Sequence, residues 1–157
     1  MDWLEAVGQW PLAEGLRQTV VAYALVNAAH ILGLALLIGA IATLDLRLLG
    51  AFRAAPVPVL AAPLTKVAAT GLLLALGTGV LLFSVRPLEY AQNPAFLTKL
   101  ALVTAGVINA LVLRAGPDWR LTLAGGTPTA RVRIGAALSL LIWTGAIVSG
   151  RWIGFLQ

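Results

Sequence analysis

The stretch Tyr23-Ala24-Leu25-Val26-Asn27-Ala28-Ala29-His30-Ile31-Leu32-Gly33 decides how this chain is read. It is the centre of a run without a charged residue from Thr19 to Leu44. About 26 residues of helix extend about 39 Å, which exceeds a hydrocarbon core of about 30 Å. The run therefore predicts a membrane-crossing helix that tilts or protrudes. It also carries the only histidine of the protein, His30, near the depth of the bilayer middle.

Working outward, the composition agrees with lipid as the solvent. Of 157 residues, 60% are hydrophobic and 11% charged, against about 25% charged in ordinary soluble domains. A soluble chain of this size has no means of hiding so much apolar surface. One domain is expected at this length. Cysteine is absent, which excludes disulfides and thiolate metal sites. The net charge of +5 comes from basic residues scattered between apolar runs, so membrane orientation accounts for it and nucleic acid does not.

Before the first span, residues 2–17 mix Trp3, Leu4, Val7, Trp10 and Leu12 with Asp2, Glu5, Gln9, Glu14 and Arg17. This predicts a short amphipathic interfacial helix, interrupted at Pro11. The leading residues, with Asp2 and Glu5, lack the basic leader of a signal peptide, and retention in the membrane is expected. After the first span, about 19–44, comes Asp45-Leu46-Arg47-Leu48-Leu49-Gly50 and then a linker with Pro56, Pro58 and Pro63. Continuous helix is not expected through those prolines.

Three more spans follow, at about 64–85, 96–114 and 132–150. Gly71, Ala75 and Gly79 recur every four residues in the second, a face along which another helix can approach closely. Turn-forming residues separate the later spans, in Arg86–Pro94 and in the loop 115–130. The fold class is thus all-α: an antiparallel four-helix membrane bundle with a short N-terminal interfacial helix. Four spans put both termini on one side. Arg47, Arg53, Lys66, Arg114, Arg120, Arg131 and Arg133 lie on the other side, against Arg17, Arg86, Lys99 and Arg151. By the positive-inside rule the termini are periplasmic.

The chemistry turns on His30. On a helix, Tyr23, Asn27, His30 and Gly33 share one side through spacings of three and four. Polar groups at this depth normally face the bundle interior and have partners. Gly33, one turn below the imidazole, leaves clearance for something flat or bulky. A neutral imidazole can ligate haem iron or another transition metal, or relay protons. Equally, it can join helices by hydrogen bonds alone. Zinc and copper sites need several N or S donors, and the chain has one histidine, no cysteine and one methionine, Met1. A two-histidine haem requires two subunits; otherwise the sixth position is open or different. Lys99 opens the third span and either snorkels to the interface or offers its ammonium to a haem propionate, a substrate carboxylate or a quinone oxygen. Asp45 is a candidate for pairing with a basic residue of another helix.

These landmarks resemble a known pattern. Asn27-Ala28-Ala29-His30-Ile31-Leu32-Gly33, Gly39, Asp45–Gly50, Pro87–Phe96 and Lys99-Leu100-Ala101-Leu102 look like an uncharacterised family of small bacterial four-helix membrane proteins. More distantly, a first-helix histidine with a lysine opening the third helix is similar to membrane-bound protoporphyrinogen oxidase and copper-resistance D-like proteins. That resemblance implies an inner-membrane protein binding haem b, with His30 on the haem side and Lys99 as the essential lysine. The chain departs from both relatives in having no second histidine and no methionine- or histidine-rich segment.

The leading expectation is a haem b-binding, redox-associated inner-membrane protein. His30 is then the metal ligand, with Asn27, Tyr23, Gly33 and Lys99 lining the site and a redox partner in the membrane. The competing expectation is a non-catalytic subunit or scaffold, a homo-oligomer formed through Gly71/Ala75/Gly79 or Gly145/Ser149. A small transporter or channel is a third, weakened by the lack of an intramembrane carboxylate for ion coupling.

Overall fold

The computed structural model describes residues 2–155, all of whose regular elements are helical. Four helices are long and apolar enough to cross a membrane. They are α3 (Val20–Leu49), α4 (Val57–Val85), α6 (Pro94–Ala115) and α8 (Ala130–Trp152). Short helices decorate the two ends: α1 (Asp2–Gly8), α2 (Pro11–Gln18), α5 (Pro87–Gln92) and α7 (Pro117–Leu123). The expected four-helix membrane bundle is therefore the observed fold.

Local chemistry sets the boundaries. Gly50 stops α3 in the left-handed conformation, φ 113°. Its N–H bonds to Arg47 O, and that of Ala51 to Leu46 O, which satisfies the last carbonyls. Asn93 starts α6 by accepting from the N–H groups of Ala95 and Phe96, ahead of Pro94. The same side chain donates to Ile153 O at 3.3 Å, tying the start of α6 to the end of α8.

The proline-rich linker is shorter than expected, because α4 begins at Val57 rather than near residue 64. Pro58 falls in the first turn, where no intrahelical donor is needed. Pro63 lies inside the helix but on its exposed side, so Val59 O, the carbonyl it leaves free, is not sealed in the core. The expected single interfacial helix is likewise two, broken at Gln9 and Trp10. Arg17 pins this pair to the bundle by donating to Val85 O at 3.2 Å and Gly8 O at 2.6 Å. Leu4, Ala13 and Leu16 are buried there, while Trp3, Trp10 and Leu12 are exposed. Trp152 and Phe155 are exposed at the same end, a belt suited to the membrane interface.

Packing is uneven around the bundle. Helix α3 meets α4 with their backbones nearly touching: a Cβ on Gly71 would lie 2.5 Å from Leu37 N and 2.6 Å from Gly33 O. Helix α6 packs on α8, where Gly106 gives room to the buried Trp143 indole, and α8 in turn packs on α3. Helices α4 and α6, by contrast, do not pack against each other. Long side chains bridge this seam at both ends. Phe83 stacks on Phe96 at 5.5 Å near the termini side, and Arg114 donates to Thr65 at 3.1 Å at the opposite side.

Candidate functional site

Two cavities occupy the parted seam, one above the other. Leu37, Leu72 and Trp143 line both and form the apolar layer between them. The upper cavity, about 270 Å³, lies beneath the Phe83–Phe96 stack and is lined by His30 and Lys99. Its mouth passes Leu76, Val80 and Leu100, all exposed on the surface that meets lipid.

His30 enters from α3, about 15 Å along the helix from Val20. Its Nδ1 lies 3.0 Å from Thr78 Oγ1 on α4. The Thr78 hydroxyl donates to Leu74 O at 2.6 Å, with Ala75 O at 3.3 Å. With the Thr78 proton on Leu74 O, its oxygen accepts from the ring, and the matching tautomer carries the imidazole proton on Nδ1 and a free lone pair on Nε2. The ring has room because position 79 is glycine: a Cβ there would stand 3.3 Å from His30 Cε1. The result is an oriented neutral imidazole with one nitrogen uncommitted in an apolar cavity.

Lys99 reaches this cavity from α6, its stem running beside Gly150 of α8. Its ammonium makes no hydrogen bond or ion pair among the described residues, so a lone cation borders the same space as the lone imidazole. Among the described residues no carboxylate lines the cavity. Such a site suits an apolar ligand that can be ligated or hydrogen-bonded at one edge and carries negative charge at another.

Three other expected site residues are elsewhere. The clearance at Gly33 is filled by α4, since a Cβ there would meet Ala75 N at 2.8 Å and Gly71 O at 2.9 Å. It serves helix contact, not a ligand. Tyr23 is 38% exposed and Asn27 is also exposed; neither lines the cavity. Helix α6 packs on α8 and not on α3, so it does not cover this face. The polar stripe thus reaches the interior only at His30.

Residues not expected at the site complete it. Thr78 orients the imidazole, Gly79 makes room for it, and Phe83, Phe96 and Trp143 form aromatic walls. A signal for the first two existed: Gly77-Thr78-Gly79 places a hydroxyl between two glycines inside an apolar span. The small-residue faces proposed for oligomerisation are used within one chain. Gly71 and Ala75 hold α3, Gly79 holds His30, and Gly145 faces Leu102.

The donor chemistry fits haem b. An imidazole with Nδ1 held by a neighbour and Nε2 free is the arrangement axial ligation needs, and an ammonium suits a propionate. The cavity, about 270 Å³, is slightly smaller than the roughly 300–1,000 Å³ of ordinary ligand pockets and is open along the seam. Among the described residues no group of three or more His, Cys, Asp or Glu side chains could hold a metal ion.

Comparison with known proteins gives a family and no activity. Residues 15–156 match a family of unknown function, DUF6644, and the chain belongs to it. No curated protein and no solved structure matches the chain, so the distant resemblance to protoporphyrinogen oxidase and copper-resistance D-like proteins gains no support.

Proposed function

We propose that this DUF6644 chain is a haem b-binding, redox-associated protein of the bacterial inner membrane, with His30 as axial ligand. The single observation that carries the reading is the Nδ1–Thr78 hydrogen bond, which leaves Nε2 uncommitted in a cavity shared with an unpartnered lysine. Haem b would supply one-electron chemistry at its iron. The chain's own residues do the rest. Thr78 fixes the tautomer and ring orientation of His30. Lys99 neutralises an acidic group of the ligand, and Phe83, Phe96 and Trp143 keep water from it. A redox partner reaches the site through the membrane, by the mouth between α4 and α6. The topology that goes with this reading has periplasmic termini and cytoplasmic basic loops, with His30 in the outer half.

The scaffold reading is less favoured, because the glycine faces it needs are already filled within one chain. Titration of haem into the purified apoprotein in lipid nanodiscs tests the proposal. A saturable Soret change in the parent protein, absent in His30→Ala, is expected. No binding by the parent, or equal binding by the variant, overturns it.

A further inference from the structure

The lower cavity holds the most deeply buried charged residue among those described. Asp45, on α3 about 22 Å beyond His30, is only 6% exposed. No protein group among the described residues donates to its Oδ2. The chamber it lines, about 170 Å³, draws a polar residue from every long helix: Asp45 from α3, Thr65 from α4, Asn109 and Arg114 from α6, and Ser139 from α8. Arg114 does not form an ion pair with Asp45; it donates instead to Thr65 at 3.1 Å. Asn109 donates to Gly135 O at 3.0 Å.

An unpaired carboxylate oxygen buried inside the bundle is costly unless it is protonated or hydrated. The chamber has space for several waters at about 30 Å³ each, with a polar residue from each long helix to hold them. It also has an approach. A groove of about 460 Å³ between α4, α6 and α7 runs along Lys66 and Trp119, and shares Thr65, Arg114 and Trp119 with the chamber. That groove opens on the side of the basic loops. In the other direction Leu37, Leu72 and Trp143 separate the chamber from the His30 cavity. The Arg114 guanidinium in the chamber disfavours a metal cation beside Asp45 and leaves the proton as the fitting ligand.

We propose that Asp45 is a proton-exchange site, loaded and unloaded through a hydrated chamber that communicates with the basic-loop side and is closed from the His30 cavity by Leu37, Leu72 and Trp143. Oδ2 takes a proton from chamber water, and that water is recharged past the Arg114–Thr65 hydrogen bond; no other bond changes. The charged groups bordering the path are Asp45, Arg114 and, in the groove, Lys66. The function is independent of any cofactor at His30.

A hydrophobic carbodiimide, which modifies protonated carboxyls in apolar surroundings, tests this on the full chain in oriented proteoliposomes. The pH is set separately on each side, and labelled residues are identified by mass spectrometry. Asp45 is expected to be labelled, with labelling falling several-fold as the pH on the basic-loop side rises and unaffected by pH on the other side. Leu72→Ser, which wets the separating layer, is expected to make labelling respond to both sides. Absence of Asp45 labelling at every pH, labelling that follows only the terminal side, or labelling indifferent to pH on both sides would each overturn the proposal.

Discussion

Thr78 Oγ1 stands 3.0 Å from His30 Nδ1 while giving its own proton to Leu74 O at 2.6 Å. The threonine is therefore an acceptor for the imidazole, and it joins α3 to α4 in the apolar half of the bundle. Replacing Thr78 with Val removes that acceptor and should cost about 1 kcal/mol, the scale of such bonds in membranes. Thr78→Ser should retain most of the stability. Reversible unfolding in mixed micelles measures both, and the haem affinity of the two variants should follow the same order.

The contact between α3 and α4 yields a prediction with an internal control. A methyl group at Gly33 would strike the backbone of Ala75 and Gly71, whereas one at Gly39 would meet nothing within 4 Å. Gly33→Ala should cost about 1–3 kcal/mol through overpacking. Gly39→Ala should be neutral or gain up to about 1 kcal/mol from helix propensity. Thermal unfolding of the two variants beside the parent gives the comparison.

Lys99 is expected to act through charge. With haem, Lys99→Met should weaken binding about tenfold, consistent with loss of one charge-assisted hydrogen bond. With haem dimethyl ester, which lacks the propionate charges, parent and variant should bind alike. A loss of equal size for both ligands would show that Lys99 only shapes the cavity.

The proposed orientation, with periplasmic termini, rests on seven basic residues against four. A fluorescent reporter inserted at the exposed Gly125–Gly126 turn should fold in the cytoplasm. A periplasmically active phosphatase fused after Gln157 should be active. The opposite pair of results would invert the orientation.

Much of this architecture is legible in the residues, and the exceptions have physical causes. The uncharged run Thr19–Leu44 and the stop at Gly50 announce α3, and the small residues at 71 and 75 announce a close helix contact, though not that Gly33 is its partner. The early start of α4 is masked because proline signals a break wherever it occurs, yet costs little in a first turn or on an exposed face. Helix α7 hides in a loop whose Gly116-Pro117-Asp118 reads as a turn, although Pro117 begins a helix that buries Trp119. For the site, periodicity finds His30 but not its surroundings. Tyr23 and Asn27 share its helical face and still fall outside the cavity, since only tertiary packing decides where that face is covered. The shared cavity of His30 and Lys99 depends on which way α6 is turned, a rotation that apolar sequence does not encode. Asp45 reads as a candidate for an interhelical ion pair, yet it lines a chamber at the α4/α6 seam without one, because Arg114 turns to Thr65.

The most direct test of the central claim removes the imidazole and then returns it. His30→Gly protein, purified from cells supplied with haem precursor, should lack the Soret band of the parent and recover it when haem and free imidazole are added together. A Soret band in His30→Gly identical to that of the parent, without added imidazole, would contradict axial ligation by His30.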